Sequence, residues 1–322
     1  MISIDEDEAK LYDRQIRLWG LNAQQRIKSH TVFVDCLTFT TTEILKNLVL
    51  AGIKSVTIVL DPAQPDIKDS FFINSSDIPL EEEFKKNVSD LNPRVSIITV
   101  LKENFTDSLI AEVNTIVSTS QLHSWNEKFD YFHKINPNAN IILCSSLGSQ
   151  AISYFYFGTY EFQEEETIKD ASCSNSSIVK CEEYPKVDKF IKMDLKTFYK
   201  SFKKQTSIPI GFILSRLLFK SPKVILKDWE AHAEANTLNS SLIDRNLLDS
   251  LNVKDCVSIG AIFGGFVSQV ILKAVSKNKP LGGNVFFFNS LECSGQFDWY
   301  PKPEESGPSN QAAQEITIDE IL

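Results

Sequence analysis

The chain has 322 residues, of which 43% are hydrophobic and 23% are charged, as in a globular protein of one large or two ordinary domains. Its net charge of −9 argues against nucleic acid as a partner, because a phosphate backbone calls for a basic surface. The acidic N-terminal sequence predicts no signal peptide. The apolar runs are shorter than the roughly 20 residues that span a bilayer, so we expect no membrane partner.

The six cysteines, at positions 36, 144, 173, 181, 256 and 293, form no C-x-x-C pair, and the four histidines are scattered. This pattern predicts neither a disulfide framework nor a metal site, and it is typical of reduced thiols in the cytosol or nucleus. Serines and acids surround Cys173 and Cys181, so neither is expected to be a nucleophile, which needs basic neighbours.

Residues 10–28 (KLYDRQIRLWGLNAQQRIK) predict an amphipathic helix that is interrupted at Gly20. Tyr12 and Trp19 can share its apolar face, while Arg14 and Arg17 project elsewhere. Two interpretations of the arginines are open. They are solvated charges on a helix packed against the domain, or one of them binds a phosphate, a task suited to the planar guanidinium.

Residues 32–52 (VFVDCLTFTTTEILKNLVLAG) predict a buried strand, a short turn and a helix, which is how a dinucleotide-binding βαβ unit opens. That turn normally carries G-x-G-x-x-G, because glycine lets the backbone approach a phosphate. Residues 36–42 contain no glycine. The sequence therefore predicts the scaffold of a nucleotide site without its phosphate cradle, which argues against an NAD-dependent oxidoreductase.

The string YDRQIRLWG ahead of this unit resembles the opening of the ubiquitin-like-protein activating enzymes and, within them, the small subunit of the SUMO-activating heterodimer. Residues 257–295 resemble the closing unit of that family, in which a Gly-Gly helix, here Gly264 and Gly265, packs at the subunit interface. An intramolecular helix–sheet contact is the alternative for these glycines. The resemblance covers nearly the whole chain apart from residues 161–186 and the tail.

The resemblance implies a non-catalytic subunit, inactive alone, that pairs with a catalytic large subunit. Arg14 would reach the ATP phosphates in the partner's active site, Arg17 would support it, and Trp19 would lie at the interface. ATP and Mg²⁺ would be bound by the partner, which adenylates the C-terminal glycine of SUMO and then takes SUMO onto a cysteine. A nuclear location follows from this pathway.

Several ATP ligands of the active family members are missing from this chain. Their Asn-Leu-Asn-Arg-Gln stretch is replaced by residues 69–74 (DSFFIN), and three glutamates, 81–83, stand where a lysine is expected. No aspartate follows the strand at 115–118 to hold magnesium. Asp61, after the strand at 55–60, is either a ribose ligand or an Asp-Pro turn residue, and the missing glycines favour the turn. We therefore expect this chain to bind no ATP itself.

Residues 153–160 (SYFYFGTY) alternate as an antiparallel strand pair does, and residues 161–186 are acidic and serine-rich, which predicts a mobile insert. The following KFIKM predicts a strand, and His232 is expected at the surface of a helix. The tail is predicted to be disordered. Its last residues, 316–322 (ITIDEIL), are either a floppy acidic end or one of the short peptides that add a strand to a SUMO-type sheet.

We predict an α/β fold of the Rossmann-like ThiF/MoeB adenylation type, with a mostly parallel sheet, then antiparallel strands and an inserted helical and loop segment. The predicted divisions are a Rossmann-like half with the arginine-bearing helix (1–160), an acidic insert with a helical substructure (161–250), a closing helix and strand (251–300), and the acidic tail (301–322).

Three other functions remain to be weighed. The small subunit of the NEDD8-activating enzyme shares the YDRQ and RLWG strings but is far longer. A free-standing sulfur-carrier adenylyltransferase needs the glycine turn, the missing ATP ligands and paired C-x-x-C zinc ligands. A scaffold unrelated to conjugation fits the composition but not the sequence around Arg14.

Overall fold

The computed structural model describes residues 6–64, 70–73, 78–165, 177–221, 223–251, 256–277, 281–301 and 314–317. Its α-helices are α1 (Glu6–Leu11), α2 (Asp13–Trp19), α3 (Leu21–Ser29), α4 (Phe39–Ala51), α5 (Leu80–Ser89), α6 (Trp125–Ile135), α7 (Val187–Ile191), α8 (Leu195–Lys200), α9 (Ile210–Leu218), α10 (Leu226–Asn236), α11 (Arg245–Ser250) and α12 (Val257–Ser276). Its strands are β1 (Thr31–Val34), β2 (Ser55–Leu60), β3 (Ser96–Leu101), β4 (Thr115–Thr119), β5 (Asn140–Leu147), β6 (Gln150–Tyr156), β7 (Thr159–Glu165), β8 (Ser177–Glu183), β9 (Val285–Asn289), β10 (Ser294–Asp298) and β11 (Gln314–Thr317).

Nine strands form one sheet in the order β11-β10-β9-β6-β5-β4-β1-β2-β3. The five strands from β3 to β5 pair in parallel, and β6, β9, β10 and β11 add antiparallel strands at one side. This confirms the predicted fold class. The chain steps from β1 to β2 in one direction and from β4 to β5 in the other, so right-handed crossovers place α4 and α6 on opposite faces. The carboxyl ends of β1 and β4 meet where the direction changes, which is where α/β sheets bind ligands.

Helix α12 is a core helix of this fold. By length and apolar composition alone it could cross a membrane, so the prediction that the apolar runs are too short is wrong for this segment. In the structure α12 packs on α3 and α4, and it buries Phe263, Val267 and Ile271. Burial between the sheet and its neighbouring helices explains why this helix is so apolar.

The strands around residue 158 do not form the hairpin that the alternating pattern predicted. Strand β6 pairs with β5 and β9, while β7 pairs with β8 in a separate two-stranded sheet. All of β6 is buried, because sheet neighbours and helices cover it on every side. The segment predicted as a mobile insert thus contributes two strands, and residues 166–176 between them lie outside the described residues.

Two predictions for the helical substructure are wrong. KFIKM was predicted as a strand, but it falls on α7 and the turn after it, where Val187 and Phe190 are buried at a helical spacing of three. His232 is buried instead of exposed, and its Nε2 lies 2.9 Å from the hydroxyl of Tyr199. A short helix and a buried polar pair both depend on tertiary packing, which local sequence patterns do not contain.

The tail predicted to be disordered contains a strand. Strand β11 pairs antiparallel with β10, with Ile316 opposite Gly295 in the register. Strand β11 thus belongs to this chain's own sheet, and the interpretation that the tail adds a strand to a SUMO-type sheet stays a prediction. Residues 318–322, the rest of the proposed SUMO-binding peptide, lie outside the described residues.

Candidate functional site

The turn between β1 and α4 is closed by its own threonines. Thr38 is the N-cap of α4, and the Thr41 N–H donates to Thr38 Oγ1 at 3.2 Å while the Thr38 N–H donates to Thr41 Oγ1 at 2.7 Å. A helix start without such side chains offers its free N–H groups to a phosphate. Here a reciprocal capping box already uses two of them, the N–H groups of Thr38 and Thr41, which argues against a nucleotide phosphate at this turn.

Helix α12 covers the start of α4 so closely that only glycine fits at two positions. A Cβ on Gly260 would lie 2.6 Å from Phe39 Cβ, and one on Gly264 would lie 2.5 Å from the Thr40 carbonyl oxygen. The close approach at Gly264 is therefore a helix–helix contact within one chain, which corrects the prediction that this glycine lies at a subunit interface. Among the described residues nothing lies within 4 Å of a Cβ on Gly265, so it faces away from α4.

Polar groups at the carboxyl ends of β1 and β4 bind one another. Asp35 accepts hydrogen bonds from the Ser118 hydroxyl at 2.5 Å, from the Thr119 N–H at 3.0 Å and from Lys128 Nζ at 2.5 Å. Burial, reinforced by the charge of Asp35, raises the pKa of the neighbouring Cys36 thiol. The thiol therefore stays protonated at neutral pH, and the carboxylate is already fully engaged.

Asp61 is the turn residue that the sequence favoured. Its Oδ1 accepts a hydrogen bond from the Ala63 N–H at 3.0 Å, and its Oδ2 accepts one from Lys102 Nζ at 2.7 Å. The hydrogen bond from Lys102 holds the pKa of Asp61 below its usual value. The carboxylate is committed to the turn and to this lysine.

A cavity of about 370 Å³ remains between this edge of the sheet and α6. It is lined by Phe33, Asp35, Val59, Lys102, Phe105, Glu127, Lys128, Tyr131 and Phe132. Both of its lysines are paired with aspartates, Lys102 with Asp61 and Lys128 with Asp35. The cavity is therefore mostly apolar and supplies no net positive charge for a triphosphate.

The three glutamates expected to repel ATP form the first turn of α5, with Glu82 exposed and Glu83 buried. Residues 69 and 74 of the replaced arginine-bearing stretch lie outside the described residues. In the part of the chain that the structure describes, no three His, Cys, Asp or Glu side chains are grouped to hold a metal ion.

Arg14 and Arg17 differ sharply although they share helix α2. Arg17 is bound by Asp13, with Nε to Oδ1 and Nη2 to Oδ2 both at 3.0 Å. Arg14 is exposed, and within the described residues its guanidinium makes no hydrogen bond or ion pair. Of the two candidate arginines, only Arg14 presents an unpaired guanidinium.

Exposed leucines lie close to Arg14 in the sequence. Leu18, four residues further along α2, is 78% exposed, and Leu11 and Leu21 at the adjoining helix ends are 60% and 48% exposed. Single exposed leucines are ordinary, but three of them within seven residues of one unpaired cation are a feature expected of a surface that binds a protein partner. We call Leu11, Arg14, Leu18 and Leu21 the α2 surface. The amphipathic pattern of the sequence placed Tyr12 and Trp19 on the apolar face and made no prediction for these leucines.

Trp19, also predicted at the interface, is half-buried. Its ring packs against the core, and its Nε1–H donates to Gln24 Oε1 at 3.1 Å. Trp19 therefore joins α2 to α3, and only its exposed part is available to a partner.

No protein-family model matches the chain. Among solved structures, PaaA aligns with a TM-score of 0.53 at 13% identity, covering 99% of this chain and 86% of that chain. That likeness shows the fold, which is of the ThiF/MoeB adenylation type.

Several proteins of known name are similar to this chain over most of its length. SUMO-activating enzyme subunit 1 of Dictyostelium discoideum is 26% identical, covering 91% of this chain and 93% of the relative. The protein of the same name from Rattus norvegicus is 28% identical, covering 91% and 94%. The DNA damage tolerance protein rad31 of Schizosaccharomyces pombe is 27% identical, covering 89% and 95%. The resemblance to the small subunits of SUMO-activating enzymes is confirmed over nearly the whole chain.

Proposed function

We propose that this chain is the non-catalytic small subunit of a SUMO-activating enzyme. It pairs with a catalytic large subunit, is inactive alone, and donates Arg14 to the ATP-binding site of that partner. The complex acts in the nucleus. Similarity to proteins named SUMO-activating enzyme subunit 1, over about nine tenths of the chain, supports the pairing and the substrate.

The reaction needs positive charge at the phosphates. A carboxylate oxygen of the C-terminal glycine of SUMO attacks the α-phosphorus of ATP, the bond to the bridging oxygen breaks, and pyrophosphate leaves with the added negative charge. A guanidinium placed at these phosphates stabilises that charge, and its planar fork can bind two phosphate oxygens at once. The acyl adenylate then passes SUMO to a cysteine of the large subunit, and AMP is released.

The observation that carries this proposal is the state of Arg14. It is exposed and unpaired within the described residues, although Asp13 on the same helix binds Arg17. The exposed leucines of the α2 surface offer apolar area for a partner subunit. An arginine held by its own chain would have to give up an ion pair before it could reach a partner's ligand, and Arg14 does not.

ATP and Mg²⁺ belong to the partner's site in this proposal. In the turn of this chain the N–H groups of Thr38 and Thr41 are already bound by each other's side chains, and both lysines at the neighbouring cavity are paired with aspartates. These residues do not fit a triphosphate with its cation. Gly265 and the exposed part of Trp19 are further proposed contacts with the large subunit.

Exchange of labelled pyrophosphate into ATP tests the assignment. The chain alone should give no exchange, and the chain with the large subunit and SUMO should give exchange that depends on SUMO. NEDD8 in place of SUMO should leave the mixture inactive. Exchange by the isolated chain would overturn the non-catalytic role, and failure of the two subunits to co-elute in gel filtration would overturn the pairing.

A further inference from the structure

The helix that carries Arg14 is fastened to the C-terminal end of α4. We infer that Tyr12 is the positioning residue for Arg14, because it locks the start of α2 into a socket built by Gly52 and Asn92. This inference rests on the proposed function, which gives Arg14 its use. It also gives a task to the LNPR stretch, residues 91–94, which that function leaves without one.

The socket begins with the carbonyl groups at the end of α4, which bind side chains from other parts of the chain. The last carbonyls of any helix lack intrahelical donors and must find other partners. The Val49 carbonyl accepts a hydrogen bond from Asn92 Nδ2, and the Ala51 carbonyl accepts one from Gln24 Nε2, both at 2.9 Å. Both amide side chains are buried. The end of α4 thus holds the LNPR stretch and helix α3 in fixed positions beside α2.

Tyr12 fills the remaining space. It is 5% exposed, and its hydroxyl accepts a hydrogen bond from Asn92 Nδ2 at 2.8 Å. Its ring lies directly on Gly52, where a Cβ would come within 2.3 Å of the hydroxyl oxygen. Gly52 also has a φ of +80°, in the left-handed region that favours glycine. Position 52 therefore requires glycine for two reasons: the left-handed backbone angle, and the space that the Tyr12 ring occupies.

A second fastening lies one turn earlier. Glu8 of α1 is buried and pairs with Lys28 Nζ at 2.5 Å and with Arg94 Nη1 at 3.2 Å. The Tyr12 N–H donates to the Glu8 carbonyl at 2.9 Å. The backbone that leads into α2 is therefore held at two points, Glu8 and Tyr12. Arg14 lies on the exposed side of α2.

The geometry of α2 transmits this fixing to Arg14. Tyr12 is the N-cap residue of α2 and is buried, whereas Arg14, two residues further along the chain, is exposed. With Tyr12 pointing into the body of the protein, Arg14 must point away from it. A displacement of about 1 Å in a group that acts on a reacting centre can cost roughly a hundredfold in rate. The depth of Tyr12 in its socket therefore sets where the guanidinium stands.

The test uses the assembled heterodimer and the SUMO-dependent exchange assay. Tyr12→Phe removes only the hydroxyl, and we expect it to lower the exchange rate about fivefold at saturating ATP. Its matched control is Tyr199→Phe, which removes another buried hydroxyl, bonded to His232, far along the chain from Arg14. That control should lose less than about twofold. Gly52→Ala should lose more than Tyr12→Phe, because its Cβ collides with the ring.

A double-mutant cycle with Arg14→Ala separates positioning from general stability. If Tyr12 acts through Arg14, Tyr12→Phe should have less than about a twofold effect in the Arg14→Ala background. An unchanged rate in Tyr12→Phe overturns the inference, and so does a loss of the same size with and without Arg14. A normal rate in Arg14→Ala alone, with the heterodimer intact, would instead overturn the proposed role of Arg14 and this inference with it.

Discussion

The two ends of helix α4 have been put to different uses. At its N-terminal end the capping box of Thr38 and Thr41 and the close packing of Gly260 and Gly264 seal the place where a nucleotide phosphate would bind. At its C-terminal end the carbonyl groups of Val49 and Ala51 bind Asn92 and Gln24, and Gly52 makes room for Tyr12 at the start of the helix bearing Arg14.

This difference shows that the two ends of one helix can serve separate tasks. A turn that does not have to bind phosphate can be filled with side chains that stabilise the helix. Under the proposed function, the C-terminal end is constrained in another way, because an arginine that acts in a partner's site must be held in one place. The N-terminal end therefore contributes to stability and, under the same proposal, the C-terminal end contributes to function.

The largest stability effect is expected at the sealed end. Gly264→Ala should lower the free energy of unfolding by roughly 2–3 kcal/mol, because its Cβ would lie 2.5 Å from the Thr40 carbonyl oxygen. Gly265→Ala is the matched control, since it has open space and should gain about 0.5–1 kcal/mol from its better helix propensity. Urea unfolding of the two variants measures both. Equal effects would show that the packing of α12 on α4 is not as tight as described.

Acid should lower the stability of the fold through His30. Burial lowers the pKa of His30, which lies between α3 and β1, to about 4, from 6.5 when it is exposed. The unfolded chain therefore takes up a proton at a higher pH than the folded chain. The stability from this group is complete above pH 6.5 and is lost as the pH falls towards 4.

The expected loss is roughly 2 kcal/mol between pH 7 and about pH 5. Urea unfolding at several pH values in wild type and His30→Asn measures it, since the variant should lack this part of the pH dependence. The pKa of His232 is also lowered to about 4, mainly by burial. Since His232 is present in both proteins, it should contribute the same pH dependence of stability to each. Identical pH slopes in the two proteins would contradict the assignment to His30.

The smallest effect is expected at the cap. Thr38→Ala should cost about 1 kcal/mol, because the Thr41 N–H loses its acceptor, and Thr38→Ser should restore most of that loss. Neither variant should bind ATP in a calorimetric titration of the isolated chain. ATP binding by either variant would mean that the capping box, and not the whole site, keeps the nucleotide out.

Much of the fold could be predicted from the sequence. The apolar run before Asp35 and the change to a helical period after it predicted β1 and α4, and the absence of glycine in residues 36–42 predicted the lost phosphate cradle. These features are local, so a pattern of neighbouring residues contains them. Gly264 was misassigned because a sequence shows that a helix must approach something closely but not whether that neighbour is its own chain.

The socket could not be predicted from the sequence for the same reason. Tyr12, Gly52 and Asn92 lie far apart in the sequence, and none of them has a pattern that points to the other two. Their contact depends on how α2 lies across the end of α4. The exposure of Leu18 was hidden too, because apolar residues on an amphipathic helix predict a core face unless the orientation of the helix is known.

The central claim is that Arg14 acts in the partner's site, and one comparison tests it most directly. Heterodimers carrying Arg14→Ala or Arg17→Ala are assayed for SUMO-dependent exchange of pyrophosphate into ATP at equal complex concentration. We predict a loss of about a hundredfold or more for Arg14→Ala and less than about threefold for Arg17→Ala, whose side chain is bound to Asp13. Full exchange by an intact Arg14→Ala heterodimer would contradict the account.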